Sequence, residues 1–89
     1  MNHHIKSWPE YFQALLDGEK TFEARKNDRD YQAGDFLTIK EYDPAKNAYT
    51  GRALHARVHY VLYGGHFGLA PGYCILSLKG VQRCQEVPT

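Results

Sequence analysis

No stretch of this chain approaches the ~20 consecutive apolar residues that a membrane-spanning helix needs. The opening run Met1-Asn2-His3-His4-Ile5-Lys6 has no apolar core of signal-peptide type. A cytoplasmic chain with no membrane partner is therefore expected. Cysteine is scarce: Cys74 and Cys84 are too few for a disulfide scaffold. Cys74 lies in an apolar run and reads as a small buried hydrophobe, whereas Cys84 lies in a polar tail. Paired Cys-x-x-Cys spacing, a Gly-x-Ser-x-Gly elbow and the Cys–His spacings of zinc sites are all missing. His55 and His59 share a strand face but stand four residues apart, further than one ion bridges on an extended chain. Neither a metal nor a cofactor is expected. The Gly64-Gly65-His66-Phe67-Gly68 loop lacks the Lys-Ser/Thr ending of a phosphate-binding loop. It reads as a turn whose Phe67 either covers a pocket or tucks into the core. Carboxylates are absent from residues 44–85.

What is present is one domain's worth of chain, 89 residues, with a high aromatic content of seven Tyr, four Phe and one Trp. Such content argues for a packed core and against disorder. The formal net charge is only +1, but it is unevenly spread. Residues 1–43 carry six basic and nine acidic side chains, and residues 44–85 carry five basic ones, making the second half a candidate basic surface. Two sheet faces of different charge would produce the same distribution.

Glycine and proline cut the chain into short elements. His3–Lys6 reads as a first strand. Ser7-Trp8-Pro9-Glu10 has the form of a capping box, with Ser7 as N-cap and Glu10 reaching back. Trp8, Tyr11, Phe12, Leu15 and Leu16 recur at helical spacing, predicting a helix over 8–17 closed by Gly18. Everything later reads as strand and turn. Lys20–Arg25 alternates, which predicts Phe22 and Ala24 toward the core and Thr21, Glu23 and Arg25 on the opposite face. A polar loop covers 26–35, a second strand 36–42 and a hairpin turn 43–47. A period-2 stripe follows, Leu54, Ala56, Val58, Tyr60 and Leu62, and a last strand runs from Tyr73 to Leu78. One early helix and about five strands without βα alternation predict an α+β domain over 1–80, a small barrel or curled sheet plugged by the helix. A frayed tail is expected over 81–89.

The densest polar constellation is Lys20, Thr21, Glu23, Arg25, Lys26, Asn27, Asp28 and Arg29. Glu23 can accept a hydrogen bond from an amino group, and Arg25 can grip a phosphate or carbonyl with its guanidinium fork. The same pattern also describes a solvated strand face with an ordinary Glu–Arg pair.

The run His4-x-Lys6-Ser7-x-Pro9-Glu10-Tyr11-Phe12, then Gly18-Glu19-Lys20-Thr21-Phe22-Glu23-Ala24-Arg25-Lys26-Asn27-Asp28-Arg29-Asp30, then Gly34-Asp35, resembles the ASCH domains. Within them it is similar to a small bacterial and phage subgroup of unknown function. Glu41-Tyr42-Asp43-Pro44, Tyr49-Thr50-Gly51-Arg52, Tyr60-Val61-Leu62 and Gly72-Tyr73-Cys74-Ile75-Leu76 extend the likeness over roughly residues 4–79. The resemblance implies a PUA-like barrel that binds RNA or modified nucleosides in a cleft beside the first helix, lined by the Gly-x-Lys-Thr strand. Some ASCH proteins are N-acetylcytidine amidohydrolases that use a motif Lys, a Thr nucleophile two positions after the motif Thr, and an acid–base Glu. Lys20 matches the Lys, but the nucleophile's position is Glu23 here, and the segment bearing the further acidic residue has no counterpart.

These readings give three expectations, one of them a protein-interaction domain that sets the basic second half against an acidic partner. The first is a module binding RNA or a nucleotide through Lys20, Thr21, Glu23, Arg25, Lys26, Asn27 and Arg29, with Trp8 and Tyr31 offering stacking surface. The alternative is an amidohydrolase acting on an N-acylated nucleoside, with Lys20 and Glu23 as its candidate catalytic groups.

Overall fold

The computed structural model describes residues 1–85. In order along the chain lie β1 (Asn2–Ser7), α1 (Pro9–Leu16), β2 (Phe22–Lys26), β3 (Phe36–Asp43), β4 (Ala48–Tyr63) and β5 (Tyr73–Gln85). The strands form one mixed sheet in the order β1-β3-β4-β5-β2. Only β1 and β3 run parallel, joined by a crossover that contains α1 and β2, and the other pairs are antiparallel. The protein is thus an α+β domain built on a curled sheet. The curl carries the edge strands β1 and β2 back toward each other. Across the remaining seam, the side chains of Arg25 and Arg29 donate to the Lys6 and His4 carbonyls. Among the described residues, no helix is long and apolar enough to cross a membrane.

The curl has a local cause. β4 is 16 residues long, and its register against β5 shifts at His55/Arg57 and at Val58/Tyr60. Each irregularity bends the strand and increases its twist. The shift near Val58 also changes which parity faces inward. Leu54, Ala56 and Val58 are buried, but the next buried residue is Val61, and Tyr60 is exposed. The expected unbroken stripe to Leu62 therefore ends at the bulge. β5 behaves similarly: Cys74, Leu76 and Leu78 face the core until Gly80, at φ 64°, after which Val81 packs inward. Residues 81–85 are strand and pair with β4, correcting the frayed tail expected after Gly80. Residues 86–89 of that expected tail lie outside the described residues.

α1 plugs one mouth of the sheet with Phe12 and Leu15, both buried. Its N-cap is Trp8 and not Ser7, and it has no side-chain cap. The physical reason is Pro9. A residue before proline is forced into the extended region, and Trp8 sits at φ −69°, ψ 155°, so the helix can begin only at Pro9. Ser7 is left as the buried last residue of β1, and the capping box does not form. The turn over residues 44–47 is a hairpin connection as expected, with the Asp43 carboxylate accepting from Ala45 N–H. Phe67 is fully out in solvent, which decides against its tucking into the core.

Candidate functional site

β2 is the element that builds the site, and its faces are the reverse of the simplest reading of its alternation. In its register with β5, Glu23 stands opposite Leu76 and Arg25 opposite Cys74, while Phe22 and Ala24 stand opposite Ser77 and Ile75. Paired residues project to the same side of a sheet. Leu76 and Cys74 are committed to the core, so Glu23 and Arg25 must point inward with them. Glu23 is 7% exposed, whereas Phe22 is 45% exposed and Ala24 is also outside. The expected burial of Phe22 and Ala24 is thus corrected. Glu23 lines the cleft beside the helix, whereas Arg25 lines a second cleft to which α1 contributes no residue.

A carboxylate can face inward here because its two oxygens are both matched by cations. Lys20 Nζ donates to Glu23 Oε1 at 2.9 Å, and Arg25 Nη1 donates to Oε2 at 3.1 Å. Arg25 Nη1 also reaches the Lys6 carbonyl at 3.3 Å. Glu23 lies in a cleft of about 340 Å³ lined by Lys6, Ser7, Trp8, Tyr11, Lys20, Glu23 and Ala24. Trp8 and Tyr11 present roughly parallel rings, with centroids 6.3 Å apart and planes 28° from each other. Both are about half exposed. Trp8 owes that position to its place as N-cap, which holds it at the rim between β1 and α1. The Lys20 ammonium sits over the Tyr11 and Phe22 rings, at 5.9 and 5.2 Å from their centroids.

The other expected site residues divide. Arg29 leaves the β2 row and donates to the His4 carbonyl at 2.7 Å across the seam. Thr21 is exposed, and its backbone carbonyl accepts from Leu78 N–H. Lys26 is exposed at the end of β2, opposite Tyr73. Asn27 braces the loop: its Oδ1 accepts from Tyr31 N–H at 3.0 Å, and its own N–H donates to the Gly72 carbonyl at 2.8 Å. Lys20, Glu23 and Arg25 therefore form one group, Arg29 borders it, and Thr21, Lys26 and Asn27 lie outside the cleft lining.

Tyr31 does not supply stacking surface. It is completely buried, edge-on to His3 at a centroid distance of 4.8 Å, and its backbone carbonyl accepts from the Tyr63 hydroxyl. Burial pushes its phenol pKa up, against the pull of the nearby Arg25 and Arg29 charges. The Arg25 guanidinium is close to the Tyr31 hydroxyl without a hydrogen bond of good geometry between them. Cys74 is likewise buried, and desolvation raises its thiol pKa, so it is packing and not a nucleophile.

Residues that the sequence reading passed over are Tyr11, Ser7, Lys6, Lys40 and Tyr49. Tyr11 and Ser7 line the cleft because β1 runs straight into α1 there. Lys6, Lys40 and Tyr49 border a second cleft on the other side of Arg25. Strand alternation alone marks Lys6 and Lys40 as outward-facing, and it is the sheet order that sets them side by side.

Residues 2–78 match the model of a family described as a domain of unknown function, DUF3850. A 12.9 kDa protein encoded in the GpA 3′ region of Escherichia phage P2, itself described as uncharacterized, is 39% identical over 56 residues. That match covers 63% of this chain and 50% of the phage protein, so the chain spans about half the length of the curated relative it matches. With the family model covering β1 through β4 and the start of β5, the chain belongs to the DUF3850 family.

Proposed function

We propose that the cleft between β1, α1 and β2 binds a nucleobase, as part of RNA or of a free or modified nucleoside or nucleotide. The observation that carries this reading is Glu23: a nearly buried carboxylate paired with two cations, in an open cleft that a pair of neighbouring aromatic rings also lines. Unpaired bases are recognised by aromatic stacking together with hydrogen bonds to their edges. An ionised carboxylate only accepts, so Glu23 selects a donor such as an exocyclic amine or a ring N–H. Lys20, which lines the same cleft, keeps donors beyond the one spent on Glu23 and can meet a base carbonyl. Trp8 and Tyr11 offer the flat apolar surface. The resemblance to ASCH domains and their PUA-like fold supports the same reading.

A second reading, hydrolysis of an N-acylated nucleoside such as N-acetylcytidine, draws on the 2.9 Å contact between Lys20 and Glu23. There Glu23 would take a proton from water attacking the acyl carbon, and the C–N bond would break with the proton delivered to the departing amine.

Titration calorimetry with the common nucleosides, and a hydrolysis assay with N-acetylcytidine, separate the two. In a binding module, Glu23→Gln weakens affinity by about 1–3 kcal/mol and wild type shows no turnover. In a hydrolase, the same change lowers the rate by about 10²–10⁴ and barely moves ground-state binding. Wild-type turnover abolished by Lys20→Ala would overturn the binding-module reading.

A further inference from the structure

A second cluster lies on the outer face of β2, β5 and β4. Cys74, Leu76 and Leu78 are buried, so strand alternation turns Tyr73, Ser77 and Lys79 outward. The pairing sets Phe22 and Tyr60 on either side of Ser77, Lys26 opposite Tyr73, and Arg57 opposite Lys79. Tyr60 is 62% exposed, and Phe22 and Tyr73 are near half exposure. Lys26, Arg57 and Lys79 are exposed as well. Ser77 is small and holds Phe22 and Tyr60 two strand spacings apart, about 10 Å, so neither ring covers the other. Among the described residues, Tyr60 and Tyr73 pack on no other ring, and the side chains of Lys26, Arg57 and Lys79 have no hydrogen-bond or ion-pair partner.

The charge of this face is uncompensated. Residues 44–85 hold no carboxylate, so nothing on β4 or β5 neutralises Arg57 and Lys79. The one carboxylate of β2, Glu23, turns to the other face and is taken up by Lys20 and Arg25. Arg57 and Lys79 are direct register partners, so two like charges stand side by side and an anion between them relieves their repulsion. A second copy docked face to face would press these cations onto one another. An acidic protein segment would meet the charges but offers no row of flat faces for the rings, and a duplex hides its base faces in the stack. Single-stranded nucleic acid supplies both needs, phosphates for the cations and base faces for the rings. We infer that the outer face of β2, β5 and β4 is a platform for single-stranded nucleic acid, with bases stacked on Phe22, Tyr60 and Tyr73 and phosphates held by Lys26, Arg57 and Lys79. None of these six residues lines the cleft that holds Glu23, so the platform goes beyond the base-binding reading and does not require it.

The test is fluorescence anisotropy on the full chain with a labelled mixed-sequence RNA single strand of about ten nucleotides, a length within the range that one small binding module covers. The unlabelled duplex of the same sequence and polyglutamate serve as competitors. The single strand should bind, and both competitors should displace it at least about tenfold less well than the unlabelled strand. Tyr60→Ala should weaken binding at least about fivefold, the loss of one stacked base, and leave the melting temperature in place because the ring is mostly in solvent. Arg57→Gln and Lys79→Gln should each make the slope of log affinity against log salt shallower by about 0.7. Binding lowered by Glu23→Gln and untouched by Tyr60→Ala would move the strand to the cleft, overturning the platform and leaving the base reading standing. Equal displacement by the duplex would overturn the platform in favour of a plain basic surface, and stronger displacement by polyglutamate would do so in favour of an acidic protein partner. Failure of the single strand to bind at low salt would also overturn the platform, while the base reading is judged separately by nucleoside titration.

Discussion

Arg52 grips Glu41 by two parallel hydrogen bonds, Nε to Oε1 at 2.9 Å and Nη2 to Oε2 at 2.8 Å. The pair sits under α1, where the guanidinium lies 4.9 Å from the Phe12 ring centroid and Nη1 reaches Gln13 Oε1 at 3.1 Å. Thr50 donates to the same carboxylate. One ion pair thus links β3, β4 and the helix that roofs the candidate site. Arg52→Ala would leave Glu41, which is almost fully buried, without its cation. Arg52 is itself partly exposed, so the cost should fall below that of a fully buried pair, at about 2–3 kcal/mol. Urea unfolding should show the loss as a lower midpoint at unchanged slope.

Two carboxylates set the acid response. Hydrogen bonding from Arg52 holds the Glu41 carboxyl below its ordinary range, against the opposing effect of burial. For Asp35, burial pushes upward, but hydrogen bonds from His3 at 2.8 Å and from Gln32 N–H outweigh it and the net shift is also downward. A folded-state pKa below the unfolded one means that the unfolded chain binds more protons in the intervening window. The stabilisation is therefore complete above the unfolded values, about 3.9 for Asp and 4.3 for Glu, and drains away as pH falls through the folded ones. Unfolding midpoints should be nearly flat in these two groups' contribution from pH 7 to about 5 and decline below that. Glu41→Gln should be less stable at pH 7 and lose less on acidification.

The inverted faces of β2 give a direct comparison. Phe22→Ser should cost less than about 1 kcal/mol, because the ring is already near half exposure. Leu76→Ala, on the buried face opposite Glu23, should cost about 2–5 kcal/mol. Equal costs would contradict the register on which the site depends.

Among the glycines, Gly64 is the one packed against neighbouring backbone. A Cβ there would lie 1.9 Å from the Ala70 carbonyl oxygen and 2.8 Å from that of Tyr73. Both neighbours are backbone and cannot swing aside. Gly64→Ala should therefore force the β4–β5 connection to shift, at a cost of about 3 kcal/mol or more, readable as a drop in melting temperature.

Much of this architecture was legible in the residues. The helix is carried by Phe12 and Leu15, the hairpin by Asp43-Pro44, and the buried strand by Cys74, Leu76 and Leu78. The misreadings share one physical origin. Alternation reveals that two faces differ, but not which one is inside when a strand borders a cleft. For β2 the deciding information sits in β5, far along the chain, because Leu76 and Cys74 fix the side to which Glu23 and Arg25 turn. The parity change at Val58/Tyr60 was hidden for a similar reason, since a bulge is a property of the pairing and leaves no mark in an apolar stripe. Trp8 was legible after all: Pro9 alone excludes Trp8 from the helix, independently of Ser7. The second cleft was not, because Lys6 and Lys40 meet only through the β1–β3 pairing.

The strand order also dictates a sequence of events in time. β3 with β4, and β4 with β5, are joined by short connections, so their closure costs little loop entropy. Among the described residues β1 and β2 are the outermost strands, and β2 reaches its partner β5 across most of the chain, Phe22 to Ser77. The central meander should therefore assemble early and the two edges late, with the seam arginines engaging last. Opening runs in the reverse direction, so backbone amides of β1 and β2 should exchange with deuterium well before those of β4. A ligand spanning both edges would slow that exchange selectively, since it would hold shut the part of the molecule that folds last.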